Sequence, residues 1–343
     1  MDNLDKGKTH FLYGAVVFFS MIFTSVALIL FWPQQNSGLI VKVTVKSGFS
    51  LFQLAQQMKD NKLITNKSTF MWAAQLMGKE RKIPIGTFHL EDAINNYSII
   101  QQLVNGSPEL KKITFLEGWT IRQFADHLAF KLDLKADEII RLANRNTFLR
   151  RHQISGSSAE GYLFPDTYLF SDHTDPESIL DILINEGRKF WTKAREYRAT
   201  AIGLTKHEIL TLASIIEGEA IYDDERPIIS AVYHNRLNNG MKLQADPTIQ
   251  YIIDDGPRRL LNRDLQIKSP YNTYLHKGLP PGPINSPGKK SLLAALYPEE
   301  NDYLFFVAKG DGYHTFSKTE RGHNRAKKKL QKLRRALKKN RIK

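Results

Sequence analysis

An acidic triplet, Glu217-Gly-Glu219, ends the segment of the sequence that is richest in chemical information. That segment reads HEILTLASIIEGEA, and Ile209, Leu212, Ala213 and Ile216 recur in it at helical spacing. A helix here would bury that apolar stripe against a core, with Glu217 about 80° from Ile209, at the edge of the stripe. Glu219 lies roughly 160° from Glu217, so a regular helix cannot aim both carboxyl groups into one cleft.

A carboxyl group at the margin of an apolar surface is suited to general acid catalysis. Desolvation raises the pKa of a glutamate above about 4.3, and an acid that works near neutral pH needs such a shift. Glu217 is therefore a candidate proton donor to a glycosidic oxygen. The alternative is a solvated glutamate near a helix end. Gly218 adds to this uncertainty, because a glycine could end or distort the helix and re-aim Glu219.

The start of the same helix is marked by Thr205-Lys-His-Glu208, which has the pattern of a capping box. The threonine side chain would cap the helix while Glu208 reaches back to the amide of the cap residue. The helix is therefore predicted to begin directly after Thr205.

Polar and aromatic residues that suit a sugar ligand follow the helix. They lie in five segments, Tyr233–Leu237, Leu243–Thr248, Tyr271–Tyr274, Gly278–Gly288 and His314–Ser317. The fourth segment is too rich in proline and glycine for a helix or a central strand, so it predicts a rigid, ordered loop. Any one of these segments could have a purely structural role.

Taken together, the segments resemble one family, the endolytic murein transglycosylases of the MltG/YceG type. The matching motifs are Leu212–Glu217, Asp246–Thr248, Tyr271–Tyr274, Gly278–Ile284 and His314–Phe316. The resemblance extends upstream through Glu117-Gly118 and Phe164–Tyr168 to the N-terminal apolar segment, and it ends near Asn324. Five motifs in the same order make it specific.

The resemblance implies a lyase that cuts the β-1,4 bond between N-acetylmuramic acid and N-acetylglucosamine within nascent strands and so terminates their elongation. The catalytic glutamate of the family maps onto Glu217, although Gly218 departs from the usual Glu-Lys-Glu. The residues implied as cleft lining are Asn235, Arg236, Gln244, Asp246, Thr248, Tyr271, Asn272, Thr273, Tyr274, Pro281 and His314. No metal or organic cofactor is implied, and no His/Asp spacing in the sequence indicates a metal site.

Such a lyase needs only one carboxyl group, because the substrate's own C6 hydroxyl attacks the anomeric carbon and leaves a 1,6-anhydro end. Glu217 would protonate the leaving oxygen and then take the proton of that hydroxyl. Two alternatives stay open. A hydrolase would pair Glu217 with a second carboxylate, such as Asp246 or Glu219, and leave reducing ends. A non-catalytic scaffold would bind the glycan without cutting it.

An uncharged run of 22 residues, Phe11–Trp32, predicts a membrane anchor. As a helix it reaches about 33 Å, enough for a hydrocarbon core of roughly 30 Å. No small-residue cleavage site follows, which favours an uncleaved anchor over a secretory signal or a buried core helix. Lys6 and Lys8 precede the run, so residues 1–10 are expected in the cytoplasm and the rest outside the cytoplasmic membrane.

A strand–glycine–helix unit occurs twice, since Val43–Ala55 aligns without gaps with Ile113–Ala125. Ser50 and Thr120 are in position to cap the two helices. The repeat suggests a small α+β module related to the LysM class, which binds sugar chains. Because strand–glycine–helix is also a common unit, chance similarity is the alternative.

The predicted fold class is α+β, with a transmembrane helix, a small LysM-like module and a mixed α/β catalytic domain. The predicted order is an anchor over 11–32, a polar linker at Gln34–Gly38, a LysM-like module over 39–110, a catalytic domain over 111–324 and a basic tail over 325–343. The chain has no cysteine, which excludes disulfides, thiolate metal sites and cysteine nucleophiles.

The basic tail accounts for most of the formal charge of +14. From Arg321 onward there are 12 Lys or Arg and no acid, so 14 − 12 = +2 remains for residues 1–320. With the tail outside the cytoplasm, nucleic acid is not expected as a partner. The tail is either a solvated terminus or a contact for anionic lipid headgroups or acidic envelope polymer. The partners implied by the resemblance are peptidoglycan, the membrane and penicillin-binding synthases.

Overall fold

The computed structural model describes residues 2–34, 40–46, 48–90 and 95–341, and their contacts divide the chain into two units. The first unit comprises residues 1–112 and 169–175, and the second comprises residues 113–168 and 176–343. The chain passes between the units in two paired strands, β3 (Lys111–Thr114) and β4 (Thr167–Phe170). No pattern in the sequence predicts that residues 169–175 belong to the first unit.

The first unit begins with a long apolar helix, α1 (Asp2–Phe31). Its Leu12–Phe31 portion is the one stretch, within the part of the chain that the structure describes, that is long and apolar enough to cross a membrane. Gln34, predicted to belong to a polar linker, is instead buried, and its Oε1 accepts a hydrogen bond from the Thr65 amide at 2.8 Å. The linker prediction is therefore wrong at Gln34, and residues 35–38 lie outside the described residues.

A small helix-and-strand module follows in the first unit. Its elements are β1 (Val41–Val45), α2 (Leu51–Asp60), α3 (Lys67–Leu76), β2 (Gly86–Leu90) and α4 (Asn96–Asn105). The two strands pair antiparallel with Val43 opposite Phe88, and both side chains are buried in a core that includes Met58, Phe70 and Ile99.

The second unit is mainly helical. Its elements are α5 (Ile121–Leu132), α6 (Ala136–Ala143), α7 (Asn146–Arg151), α8 (Pro176–Arg188), α9 (Lys193–Ala201), α10 (Lys206–Glu219), α11 (Arg226–Asn238), α12 (Asp246–Ile252), α13 (Lys289–Leu296), β5 (Phe305–Ala308), β6 (His314–Ser317) and α14 (Glu320–Arg341), with short 3-10 helices at Asp223–Glu225 and Asp264–Gln266. The strands β5 and β6 form an antiparallel hairpin.

The repeat predicted from the sequence is present in the local structure of both units. In each copy a strand leads to a glycine with positive φ, +76° at Gly48 and +78° at Gly118. Glycine adopts this conformation without the steric cost that a Cβ imposes. A complete capping box then starts the next helix, with Ser50 before α2 and Thr120 before α5.

The helix α10 lies at the centre of the second unit, packed against α9, α11, α12 and α13. All eight residues from Ile209 to Ile216 are buried, so the prediction of a single apolar stripe is wrong in extent. Two of the eight are polar, and each is satisfied by a backbone carbonyl. Thr211 Oγ1 donates to His207 O, and Ser214 Oγ donates to Thr211 O.

The basic tail is part of α14, which begins at Glu320, five residues before the predicted start. Leu330 and Leu333 lie close to Gly310 in the β5–β6 hairpin, while the Lys327–Lys329 side chains are exposed. Residues 342–343 and the side chain of Leu337 lie outside the described residues.

Candidate active site

The helix that carries Glu217 is positioned from its first residue. The predicted capping box is confirmed, since the Thr205 amide donates to Glu208 Oε2 at 2.8 Å and the Glu208 amide donates to Thr205 Oγ1 at 3.2 Å. The helix then continues without a break through Gly218 to Glu219. Gly218 therefore does not end it.

Gly218 is a point of close approach between α10 and α12. An ideal Cβ at Gly218 would lie 2.7 Å from Pro247 Cβ and 2.9 Å from Pro247 Cγ. Such distances are well below van der Waals contact, so the present packing of Pro247 requires a glycine here.

The proline- and glycine-rich loop is fixed to α10 by one serine. Ser214 Oγ accepts from the Ile284 amide at 3.0 Å, and the Ser214 carbonyl accepts from Asn285 Nδ2 at 2.9 Å. Because Ser214 lies about one turn before Glu217, this attachment brings the end of the loop to the carboxyl group. The Gly288 amide donates to Glu217 Oε2 at 2.9 Å.

The second oxygen of Glu217 is held by an arginine from the next helix. Arg226 Nη2 lies 3.1 Å from Glu217 Oε1, and each side chain is only 7% exposed. Arg226 is itself fixed by Asp223 Oδ1, 3.1 Å from its Nε, and by Ser291 Oγ, 2.5 Å from its Nη1. The carboxylate is thus enclosed by one positive charge and one amide, rather than lying at an apolar margin.

A second carboxyl group, that of Glu117, lies beside this pair. Burial, followed by the charge of Glu217, raises the pKa of Glu117 above its ordinary value. The turn that carries Glu117 is paired with the proline-rich loop, because the Gly118 amide donates to Ser286 O and the Ser286 amide donates to Trp119 O, both at 2.8 Å. Glu117 belongs to the Glu117-Gly118 motif of the family resemblance, for which no role was predicted.

The other carboxyl groups considered from the sequence lie in a different network. Tyr233 Oη donates to Glu219 Oε1 at 2.9 Å, and Tyr274 Oη donates to Asp246 Oδ1 at 2.5 Å. Burial and the nearby charge of Asp246 raise the pKa of Glu219 to about 7. The expectation that Glu217 and Glu219 point in different directions is confirmed.

Five of the eleven residues expected to line the cleft use their side chains to hold neighbouring helices and loops in place. Side-chain hydrogen bonds within the protein engage Asn235, Arg236, Thr248, Asn272 and Thr273. Asn272, for example, is buried and donates from Nδ2 to Leu265 O and Ile267 O. Exposed side chains are those of Gln244, Asp246 and Pro281, and half-buried ones are those of Tyr271, Tyr274 and His314.

His314 is held next to the segment that carries Arg226. Glu225 accepts the His314 amide on Oε1 and contacts His314 Nδ1 with Oε2, both at 2.8 Å. The neighbouring Tyr313 stacks on Tyr222 with ring centroids 4.1 Å apart, and Tyr222 Oη donates to Asp311 O. Tyr222, five residues after Glu217, is thus paired with a ring from the β5–β6 turn, a feature that no sequence pattern had singled out.

A cavity of about 800 Å³ borders the other side of the Gly118 turn. Its lining includes Glu160, Tyr251 and Asn285. Burial raises the pKa of Glu160 to about 8, so this carboxyl group is largely protonated at neutral pH. Asn285 is buried, and its Oδ1 accepts no hydrogen bond from the described residues.

Across residues 2–34, 40–46, 48–90 and 95–341, no group of three or more His, Cys, Asp or Glu side chains is arranged to hold a metal ion.

The second unit therefore combines an enclosed glutamate, Glu217, with a stacked aromatic pair, Tyr222 and Tyr313. The model of the YceG-like family matches residues 43–329, and the chain belongs to this family.

Curated relatives and a solved structure agree with this assignment. The endolytic murein transglycosylase of Bacillus subtilis is 34% identical over 313 residues, which cover 86% of each chain. The protein of the same name from Streptococcus pneumoniae is 27% identical over 84% of this chain and 58% of its own length. The crystal structure of a YceG-like protein from Listeria monocytogenes is 32% identical, with a TM-score of 0.58, and covers 83% of this chain.

Proposed function

We propose that this protein is an endolytic murein transglycosylase that cuts the β-1,4 bond between N-acetylmuramic acid and N-acetylglucosamine within nascent peptidoglycan strands. The observation that carries the proposal is the Glu217 carboxyl group, 7% exposed, held between Arg226 and the Gly288 amide in a chain of the YceG-like family. The resulting strands would end in 1,6-anhydro-N-acetylmuramic acid, and their elongation would stop there.

Glu217 acts first as the acid and then as the base. In its protonated form it gives the proton to the oxygen of the leaving N-acetylglucosamine as the glycosidic bond breaks. The C6 hydroxyl of the muramic acid residue then attacks the anomeric carbon and returns its proton to Glu217. The enclosure by Arg226 and the Gly288 amide supports this role because it fixes the orientation of both carboxyl oxygens, as directed proton transfer requires.

An endolytic cut requires sugars to bind on both sides of the reacting bond, and the second unit has two surfaces whose chemistry suits sugars. The stacked Tyr222 and Tyr313 rings present aromatic area that suits the apolar face of a pyranose ring. The cavity at Gly118 is lined by polar side chains, among them Asn285, that suit an N-acetyl group. We propose that neighbouring sugars of one strand bind in these two places.

The proposed function also includes roles for the apolar helix α1 and for the LysM-like module. The α1 helix would anchor the protein in the cytoplasmic membrane with the short N-terminus inside, and the LysM-like module would bind the strand before it is cut. This location would place the enzyme where penicillin-binding synthases extend new strands.

A hydrolase is the second candidate function, because Glu117 lies beside Glu217 and most glycosidases use two carboxyl groups. Mass spectrometry of peptidoglycan incubated with the full chain in detergent separates the two candidates. Internal fragments with anhydro ends support the transglycosylase. Reducing ends would favour the hydrolase, and uncut strands that still bind the protein would favour a scaffold.

A further inference from the structure

The two carboxyl groups of Glu117 and Glu217 meet at one residue, Gly288. An ideal Cβ at Gly288 would lie 1.9 Å from Glu117 Oε1 and 2.0 Å from Glu117 Cδ, so the Glu117 carboxyl group occupies the place of a side chain. The amide of the same glycine donates to Glu217 Oε2. The backbone at Gly288 has φ −74° and ψ 169°, which any residue adopts, so the conformation does not require glycine. Glycine is required because the Glu117 carboxyl group occupies the space of a Cβ.

This arrangement is fixed from both sides. The turn that carries Glu117 is tied to the proline-rich loop by the two reciprocal hydrogen bonds between Gly118, Trp119 and Ser286. An ideal Cβ at Gly118 would lie 3.7 Å from Glu217 Cγ, so the turn packs directly on the Glu217 side chain. Backbone contacts of the turn therefore hold Glu117 close to Glu217.

The charges around Glu117 come from four elements. Glu217 on α10 and Asp223 on the 3-10 helix raise the pKa of Glu117, while Arg226 on α11 and Lys290 on α13 lower it, and burial makes the largest contribution, upward. Arg226 is committed to Glu217, and Lys290 forms an ion pair with Asp223. The charge of Glu217 therefore opposes ionisation of Glu117.

We propose that Glu117 is the proton-sharing partner of Glu217 in the cleavage of the glycan strand, acting through Glu217 as a positioning residue. The inference rests on the proposed function. Glu117 keeps the proton while Glu217 is paired with Arg226, and it passes the proton to Glu217 for the reaction. Glu217 gives it to the leaving oxygen as the C1–O4 bond breaks. The C1–O6 bond forms, and the proton of the C6 hydroxyl returns to Glu217 and then to Glu117, so no outside reactant is consumed.

The test compares pH–rate profiles of the full chain in detergent on peptidoglycan, with anhydro ends as the readout. In Glu117→Gln the carboxyl group that would resupply the proton is absent, so cleavage should fail at a lower pH than in the wild type. The alkaline limb of the profile should move to lower pH by about one unit, a loss of about tenfold on that limb. Gly288→Ala should act in the same direction, because the added methyl group displaces the Glu117 carboxyl group but keeps the amide. Glu138→Gln, an exposed acid on α6, should keep the wild-type profile.

The outcomes separate this inference from the function on which it rests. A Glu117→Gln profile that superimposes on wild type, or that falls equally at every pH, would overturn the role of Glu117 and leave Glu217 as the sole acid. A Glu217→Gln variant that still cleaves would overturn the proposed function itself. Thermal unfolding of each variant shows whether the fold is kept, and Glu117→Gln is expected to keep it because glutamine has the same shape and the backbone hydrogen bonds between Gly118, Trp119 and Ser286 remain.

Discussion

Replacing Arg226 with methionine should cost far more stability than the loss of a surface ion pair. Both partners of the Arg226–Glu217 pair are 7% exposed, whereas exposed pairs contribute about 0–1 kcal/mol. Removal of one partner of a buried pair leaves an uncompensated charge and costs about 3–5 kcal/mol. The Gly288 amide still binds Glu217 Oε2, so we expect about 3 kcal/mol. Methionine keeps much of the apolar stem, so the loss reports mainly on charge.

A double-mutant cycle with Glu217→Gln isolates the electrostatic part of this loss. In that background no carboxylate is stranded, and Arg226→Met removes only the hydrogen bonds to Asp223 and Ser291, a cost of about 1–2 kcal/mol. The coupling energy should therefore be about 1–2 kcal/mol. Additivity within about 0.5 kcal/mol would show that the Arg226–Glu217 pair has no such electrostatic coupling.

The assay is urea unfolding of the full chain in detergent, followed by tryptophan fluorescence. The sequence has four tryptophans, of which Trp119 and Trp191 lie in the second unit. Replacing Trp32 and Trp72 with phenylalanine in all four proteins of the cycle confines the signal to the unit that contains the pair. Because the two units need not unfold together, this separation is required for an interpretable free energy.

Three further predictions concern packing, pH and the loop residues. Gly218→Ala should destabilise the second unit by about 1–3 kcal/mol, because its Cβ would clash with Pro247, and Pro247→Ala in the same chain should relieve much of that loss in thermal unfolding. Glu160, with its pKa raised from an ordinary 4.5 to about 8, stabilises the fold at low pH and loses that contribution as pH rises toward 8. The free energy of unfolding of the wild type should therefore fall by up to about 1.4 kcal/mol per pH unit between about pH 5 and about pH 7, and Glu160→Gln should remove this decline. An unchanged slope in the variant would contradict a raised pKa at Glu160. Asn272→Ala should lower the free energy of unfolding by about 1–3 kcal/mol, whereas Gln244→Ala, an exposed residue, should change it by less than about 0.5 kcal/mol and affect only glycan cleavage.

Features set by local sequence were predictable. The capping box at Thr205 and the two strand–glycine–helix copies depend on contacts within a few residues, and the structure shows each of them. The divergence of Glu217 and Glu219 follows from helix geometry alone and is also seen.

Features that depend on distant segments were not predictable. The full burial of α10 and the enclosure of Glu217 come from residues around Gly288 and Ser291, about 70 positions further along the chain. Arg226 follows Glu217 by only nine residues, yet its role depends on how α11 packs, for which the sequence offers no pattern. Several polar residues of the loop motifs, such as Asn272, bind backbone groups of their own loops, and composition alone cannot separate that role from ligand binding.

The central claim, that Glu217 is the acid that cuts the strand, is tested most directly by measuring anhydro-ended fragments released by the full chain carrying Glu217→Gln. The matched control is Glu208→Gln on the same helix, where glutamine can still complete the capping box. We expect fragments from the wild type and the control, and none from Glu217→Gln, whose thermal unfolding should still be cooperative although loss of the Arg226 pair lowers its midpoint. Release of anhydro ends by Glu217→Gln at near the wild-type rate would contradict the claim.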